Sequence, residues 1–241
     1  YTIYTYLKYC GVRSLDYVFI SHPDKDHVNG IYELIELCDN TFEIGTVVLP
    51  GISRAAAVKK QADDDMSKLE RILKNAGINV VYADAGDCIK SGEFSVECMH
   101  PCKGYNYESA NDYSAVYLVE YGDFSMLMTG DAEKKAEKCI IEDVNSMTGD
   151  AGEPARLVSV NILKVGHHGS KGASSEEFLS YVKPETALIS CGAGNSYGHP
   201  HTQTLQRLSG IGAKVYRTDE SGEIAVRVRD GLYKIEVFKA L

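Results

Sequence analysis

Four side chains that can bind a metal ion lie close together near the start of the chain: His22, Asp24, Asp26 and His27. Imidazole nitrogens and carboxylate oxygens are typical ligands of zinc and similar divalent ions. In an extended loop, His22, Asp24 and Asp26 would point to one side, and His27 would turn to a second point. The pattern therefore predicts a site for two ions, which in proteins lie ~3.5–4 Å apart. The alternative is a solvated turn whose aspartates cap a helix, although capping gives the histidines no role.

Two elements must position this loop. The apolar run from Leu15 to Ile20 contains β-branched and aromatic residues and predicts a buried strand. After the loop, apolar residues recur at positions 28, 31, 34, 35 and 37, which is the spacing of an amphipathic helix. The ligand-type side chains are therefore expected where a strand ends and a helix begins.

Three later segments carry chemical groups directly after expected strands. Asp131 ends a Thr-Gly-Asp sequence, His167 and His168 precede Gly-Ser, and His199 and His201 occur in Gly-His-Pro-His. Each segment also has an ordinary explanation. Asp131 would then sit in a turn, the histidine pair in a buried hydrogen-bonded turn, and His201 at a helix cap.

The remaining chain alternates between strand and helix patterns without an internal repeat. We expect helices over 4–11, 54–76, 132–144, 174–182 and 202–210, a surface loop over 146–155, and strands over 46–50, 78–82, 93–100, 115–121, 124–128, 158–165, 186–190, 215–218, 223–229 and 232–238. This order favours an α/β fold of mixed sheets with helices outside. We expect residues 1–241 to form a single domain.

Five motifs occur in a fixed order along the chain: H-x-D-x-D-H, N-x-x-S at Asn111 and Ser114, T-G-D, H-H-G-S and G-H-P-H. Together they resemble the signature of the metallo-β-lactamase superfamily, in the variant found in the C-terminal domain of ComEC-type competence proteins, which are DNA-uptake channels. The resemblance covers residues from about 4 to 227. It implies an αβ/βα sandwich of two mixed sheets with outer helices. It also implies N-terminal strands before the first helix that this sequence does not contain.

The resemblance also implies a ligand set for one or two ions, Zn²⁺ or Mn²⁺. Asp26, His27, Asp131 and His168 would hold one ion, and His22, Asp24 and the shared Asp131 the other. Ordinary members of the superfamily carry a third histidine for this other site in the region of Asn111 and Ser114, so it is poor in protein ligands. An alternative is that His100 approaches the metals.

The implied activity is that of a metal-dependent hydrolase, a phosphodiesterase or nuclease acting on DNA. Asp26 would help to hold the ion that activates the attacking water, and His199 would donate a proton to the leaving oxygen. Contacts to the substrate phosphate are expected from Asn111, Ser114, Lys164, His167, Ser170, Lys171 and Asn195. Two alternatives remain open. One is hydrolysis of a lactam, thioester or lactone, and the other is a non-catalytic module that guides DNA.

Composition limits these interpretations. The 241-residue chain has a net charge of −9, which argues against a surface that wraps duplex DNA by electrostatics alone. It does not exclude a nuclease, because bound metal ions place positive charge where a phosphate would sit. Seven cysteines are present, and we expect most to be buried thiols. The resemblance implies a membrane-associated parent protein and an extracytoplasmic location, at the cell surface or secreted, with the cytoplasm as the alternative.

Overall fold

The computed structural model describes residues 2–37, 42–51, 60–102, 111–146 and 159–238. The N-terminal part forms a three-stranded parallel sheet in the order β1-β2-β3, with strand-helix-strand connections. Its strands are β1 (Ser14–Phe19), β2 (Glu43–Pro50) and β3 (Asn79–Ala83), and its helices are α1 (Thr2–Tyr9), α2 (Lys25–Leu37) and α3 (Lys60–Asn75).

The second sheet has seven strands and is mixed. Its strands are β4 (Cys88–Ser91), β5 (Phe94–His100), β6 (Val116–Tyr121), β7 (Phe124–Met128), β8 (Ile162–Lys164), β9 (Thr186–Ile189) and β10 (Lys214–Arg217), in the spatial order β10-β9-β8-β7-β6-β5-β4. Pairing is antiparallel from β4 to β7 and parallel from β7 to β10. The associated helices are α4 (Lys134–Ser146), α5 (Glu176–Val182), α6 (Thr202–Gly210) and the short α7 (Thr218–Ser221).

Three buried clusters stack these elements into layers. Leu69 and Leu73 of α3 pack with β2 on the outer face of the first sheet. Ile140 and Phe178, from α4 and α5, belong to the cluster on the outer face of the second sheet. Between the sheets, Val48 and Ala83 belong to one cluster with Val96 and Tyr117. The core is therefore a sandwich of two sheets with helices on both outer faces.

The expected α/β sandwich is confirmed, with three differences in detail. The first sheet is entirely parallel, because each of its strands is joined to the next through a helix. The strands β11 (Glu223–Arg229) and β12 (Leu232–Phe238) pair only with each other among the described residues. The strand β4 was not expected from the sequence, because its four residues are too few to show a strand pattern. Residues 52–59 and 147–158, which include parts of an expected helix, loop and strand, lie outside the described residues. The single domain and the strands before α1 stay predictions.

The sheet topology brings the chemically interesting loops to one edge. The strands β1, β7, β8 and β9 all end shortly before loops that carry ligand-type side chains. The carboxyl ends of β7, β8 and β9 meet because these strands are parallel neighbours. The loop after β1 reaches the same place, where Ala115 donates its backbone N–H to Ser21 O at 2.7 Å. None of the described helices has the length and apolar character needed to cross a membrane.

Cys102 and Cys139 form a disulfide between the segment after β5 and helix α4. This differs from the expectation that most cysteines are buried thiols, although both residues are buried. The other described cysteines form no disulfide, and of these Cys98 is buried while Cys10 and Cys88 are exposed. The cross-link closes a loop with a sequence separation of 37 residues that contains Ser114 and Asp131.

We expect the Cys139→Ser variant to be less stable than the wild type by about 3–4 kcal/mol, because the unfolded chain regains the entropy of this loop. Urea unfolding with and without dithiothreitol measures the effect. The reductant should lower the midpoint of the wild type and leave the variant unchanged. Cys10→Ser, at an exposed free thiol, is the matched control. A wild-type midpoint that ignores the reductant would contradict the disulfide.

Candidate metal centre

The loops at this edge bring together the predicted ligand side chains. Asp131 lies at their centre and is 4% exposed. Its two carboxylate oxygens face different histidines: Oδ1 lies 3.2 Å from His27 Nε2 and 3.8 Å from His168 Nε2. Oδ2 lies 3.7 Å from His22 Nε2 and 3.7 Å from His167 Nε2. The carboxylate thus separates the four imidazoles into two pairs.

Two overlapping groups of side chains have the spacing needed to hold a cation. The first contains His22, His27 and Asp131, and the second contains Asp26, His27 and His168, each with ligand atoms within 4.8 Å of one another. In the second group, His168 Nε2 lies 3.1 Å from Asp26 Oδ2 and 3.3 Å from His27 Nε2. Both groups combine nitrogen and oxygen donors, which suits zinc and manganese.

The hydrogen bond between His168 and Ser190 shows which ring nitrogen of His168 carries a lone pair toward the ligand groups. Its Nδ1 donates to the carbonyl oxygen of Ser190 at 2.7 Å. Because a carbonyl only accepts, the neutral ring carries its proton on Nδ1 and a lone pair on Nε2. That lone pair faces the carboxylate of Asp26. Two electron-rich groups at this distance are stable only with a cation or a proton between them. A carbonyl bonded to the other ring nitrogen, as Ser190 O is here, is typical of metal-bound histidines.

Among the predicted ligand side chains, two buried polar atoms have no hydrogen bond in the described part of the chain: His22 Nε2 and Asp131 Oδ1. His22 is fully buried, so water does not compensate the missing bond. An unpaired buried polar group costs about 1–3 kcal/mol, and more when it is charged. A cation at each point would satisfy both atoms. The residues therefore fit a divalent metal centre by donor chemistry and by their unsatisfied atoms.

Burial and neighbouring charges perturb the titration of this cluster. Desolvation, followed by the charge of His27, lowers the pKa of His22 to about 4. Burial alone would raise the pKa of Asp131, but His27, His22 and His167 together hold it well below its ordinary value. Burial and the carboxylates of Asp26 and Asp131 raise the pKa of Asp24. At neutral pH, His22 is therefore neutral and Asp131 is ionised, which are the forms that bind metal.

Ser114 and Gly130 hold Asp131 in place. The Ser114 hydroxyl accepts from the backbone N–H of Asp131 at 2.9 Å and lies 3.2 Å from His22 Nδ1. Gly130 has a φ of 50°, and a Cβ there would collide with Ser114 and Ser21. Only glycine fits this position, which explains the Thr-Gly-Asp sequence. Ser114 was predicted to contact substrate, but it is fully buried and supports the ligands instead.

Glu133 belongs to the candidate centre, although the sequence did not single it out. Its Oε1 accepts a hydrogen bond from His167 Nδ1 at 2.8 Å, so the neutral His167 ring presents the lone pair of Nε2 to Asp131. The amide of Asn111 lies beside the same ring, with its Nδ2 3.3 Å from Nδ1. The only signal in the sequence is that Glu133 follows Asp131 by two positions.

The backbone of the histidine pair is strained. His167 and His168 have φ values of 45° and 53°, in the left-handed region that non-glycine residues rarely adopt. Such positions cost about 1–3 kcal/mol each and persist only where surrounding contacts hold them. Here the His167 N–H donates to Gly130 O at 3.0 Å, and the Ser170 N–H donates to His167 O at 2.7 Å. The strain directs two adjacent rings to the two different oxygens of Asp131.

Several predicted site residues are placed differently from expectation. Asp24 belongs to neither group in the structure. Its side chain is half exposed, although its Oδ2 lies 3.7 Å from His22 Nε2. Ser170 is buried and its hydroxyl faces Glu133 at 3.5 Å, which does not support a phosphate contact. Lys164 lines a cleft of about 1100 Å³ between β1 and the second sheet, where its Nζ donates to Val165 O at 3.0 Å. Burial lowers the pKa of Lys164.

Asn195 uses its side-chain amide within its own loop. Its Nδ2 donates to Gly192 O at 2.9 Å and to His199 O at 2.6 Å, while its Oδ1 accepts from the His199 N–H at 3.0 Å. The expected phosphate contact is therefore not supported, because the amide already holds the loop that presents His199. His100 is also outside the ligand groups: it is fully buried and its Nδ1 bonds Ser114 O at 2.9 Å.

His199 lies beside the metal ligands without joining either group. Its ring centroid is 5.5 Å from that of His167 and 6.2 Å from that of His168. Partial burial, followed by the charge of His167, lowers the pKa of His199. His201 precedes α6 without a side-chain capping bond, and its Nδ1 accepts from the backbone N–H of Lys171 at 3.1 Å.

Two relatives are similar in sequence to most of this chain. No family model matches the chain. ComE operon protein 3 of Bacillus subtilis (strain 168) is 29% identical over 228 residues, which cover 95% of this chain and 26% of that protein. Competence protein ComA of Neisseria gonorrhoeae is 30% identical over 222 residues, which cover 90% of this chain and 26% of that protein. The chain thus spans about a quarter of the length of these two relatives.

A solved structure with a similar fold is CmlA, described as a diiron beta-hydroxylase from Streptomyces venezuelae. The TM-score is 0.57 at 15% identity, over 85% of this chain and 44% of that one. At this identity the likeness concerns the fold alone.

The lowered pKa values predict how stability depends on pH in the metal-free protein. Burial lowers the pKa of both His22 and His100 to about 4. Between pH 6.5 and 4 the unfolded chain therefore binds more protons than the folded one, so stability falls as pH falls. We expect a loss of about 2 kcal/mol per histidine between pH 7 and pH 5. Urea unfolding in chelator at both pH values measures the loss, and His22→Asn should remove about half of it. Equal stability at the two pH values would contradict the burial of these neutral rings.

Proposed function

Because the chain is a metallo-β-lactamase-like domain of the ComEC type, we propose that it is a metal-dependent phosphodiesterase that cleaves DNA. The observation that carries this proposal is that the two oxygens of Asp131 face two different pairs of histidines, one pair on each oxygen. A carboxylate with two oxygens can serve two ions, whereas His27 has one inward nitrogen and serves one. Paired divalent ions are typical of enzymes that hydrolyse phosphodiesters.

We assign the ligands from these contacts. Asp26, His27, His168 and Oδ1 of Asp131 would hold one ion. His22 and Oδ2 of Asp131 would hold the other, with Asp24 close enough to His22 to join them. His167 Nε2 faces the same Oδ2 and would supply the nitrogen that this second set otherwise lacks. When bound, such ions supply a reactive water near neutral pH and positive charge for the phosphate oxygens.

The chain's own residues would then orient the substrate and move a proton. His199 lies beside His167 and His168, and outside both ligand groups. From there its ring can protonate the leaving oxygen of the cleaved ester. An anionic phosphodiester beside it would raise its pKa and oppose the lowering by burial. The acidic chain has no surplus of positive charge, so binding of the phosphate depends on the metal centre.

The disulfide supports an extracytoplasmic location for this chemistry. Disulfides persist in oxidising compartments and are rare in the cytosol of most organisms. Cys102 and Cys139 are both buried, so the bond is shielded from exchange.

We expect Asp26→Ala to abolish metal-dependent cleavage of DNA and to leave the fold intact, because Asp26 is exposed and buries little core. The assay uses single- and double-stranded oligonucleotides with Zn²⁺ or Mn²⁺, together with elemental analysis and circular dichroism. Asp123→Ala, in the exposed turn between β6 and β7, is the matched control and should cleave like the wild type. Full cleavage by Asp26→Ala would refute the proposed site. Cleavage of a lactam, thioester or lactone in place of DNA would instead favour the alternative hydrolase.

We expect His199→Ala to lower turnover by about 10²–10⁴-fold with metal content nearly unchanged, as for loss of a general acid. A nitrophenyl phosphodiester needs no protonation of its leaving group, so it should restore much of the rate. Turnover on both substrates and elemental analysis of the variant distinguish the outcomes. Loss of metal would make His199 a ligand, and an unchanged rate would exclude it from catalysis.

A further inference from the structure

We propose that the exposed ring of Tyr197 is a stacking platform for a nucleobase next to the scissile phosphate, which makes an unpaired polynucleotide strand the preferred substrate. This inference rests on the proposed phosphodiesterase function and narrows its substrate. It concerns a residue that lies outside the ligand groups.

Tyr197 stands at the outer end of a row of nearly parallel rings. Its centroid lies 5.8 Å from that of His199, with an angle of 21° between the planes. The next pair, His199 and His168, lies at 6.2 Å and 20°. His168 belongs to a ligand group through its Nε2. A base stacked on Tyr197 would therefore lie near a phosphate bound at the metal centre.

The tyrosine ring is available for such a contact. Tyr197 is 77% exposed. Its hydroxyl makes no hydrogen bond within the part of the chain that the structure describes. An aromatic ring with this exposure contributes little to the core, and aromatic residues at functional surfaces present a large apolar face at small entropic cost.

The loop that carries the ring is nevertheless held firmly. The three hydrogen bonds of Asn195 close it on Gly192 and His199. Its far end is tied to the histidine pair segment, because His201 donates its N–H to Gly169 O at 2.9 Å. A binding surface that is already ordered loses little entropy when the ligand arrives. The loop thus fixes the distance between the platform and the metal centre.

Stacking would also allow this acidic chain to hold a polyanionic strand. A chain with a net charge of −9 does not attract DNA over long distances, so its substrate must be held by short-range contacts. Stacking of a base on an aromatic side chain tolerates any sequence and needs no positive charge. The base must offer a free face, which bases inside a duplex do not. The platform therefore favours single strands, overhangs and frayed ends.

The test compares Tyr197→Ala, Tyr197→Phe and the wild type on three substrates: a single-stranded oligonucleotide, the same strand with an abasic residue beside the cleaved bond, and a nitrophenyl phosphodiester. We expect Tyr197→Ala to raise KM for the intact strand by about 5–150-fold, and Tyr197→Phe to stay within about twofold of the wild type. The abasic strand should lose a similar factor with the wild type and almost nothing with Tyr197→Ala, as in a double-mutant cycle. The nitrophenyl ester carries no nucleobase, so Tyr197→Ala should change its KM much less than that of the intact strand.

Tyr9→Ala is the matched control, since Tyr9 is 88% exposed on α1 and outside this row of rings. Equal KM values for Tyr197→Ala and the wild type would overturn the inference. An equal loss on the intact strand and the nitrophenyl ester would also overturn it, because Tyr197 would then act through His199. If the wild type cleaves no phosphodiester, the proposed function fails. Fluorescence anisotropy with the intact and abasic strands then tests the platform independently.

Discussion

The buried carboxylate of Asp131 is the constraint on which this structure depends. It is almost completely removed from water, and four imidazoles from two separate loops approach its two oxygens. A charge in such a place is expensive, by several kcal/mol, unless partners compensate it. The neighbouring rings do so only in part, since Oδ1 has no hydrogen bond and the lone pairs of His168 and His167 point inward. Divalent cations would neutralise the cluster, which is why the arrangement suits a metal centre.

The surrounding fold keeps this cluster in position before any cation arrives. Ser114 holds the backbone of Asp131, Glu133 fixes the tautomer of His167, and the Ser190 carbonyl fixes that of His168. The left-handed backbone at the histidine pair turns its two rings to different oxygens. Outer contacts of this kind usually decide how tightly and with what geometry a metal is held. The parallel strands β7, β8 and β9 then act as the rigid base, with the disulfide from Cys102 to Cys139 closing the segment that contains Ser114 and Asp131.

The net charge of the chain opposes the binding of a nucleic acid, whereas the local charge of a metal centre would favour it. The chain as a whole is acidic, whereas a nucleic acid substrate is a polyanion. The proposed centre resolves this locally, because bound cations would offset the charge of the carboxylates around them and supply positive charge for a phosphate. Recognition would then rely on short-range contacts at the mouth of the site, where His199 and Tyr197 lie on a loop braced by Asn195.

The local signals were strong enough to be found in the sequence. The ligand-type side chains from His22 to His27 lie between an apolar run and an amphipathic helix, all within about twenty residues. The periods of the strand and the helix can be read directly from the sequence, so the position of this loop was predictable. The order of the five motifs was also sufficient to predict the sandwich fold. Roles that depend on distances between loops were decided by the tertiary structure alone. Glu133 meets His167 across 34 positions, Ser114 meets His22 across 92, and Cys102 joins Cys139 across 37. Asn195 and Ser170 have residue types that suit phosphate binding, but their polar atoms already bond within the protein. No sequence pattern records whether a polar atom is already bonded, because that depends on which loops the sheet brings together.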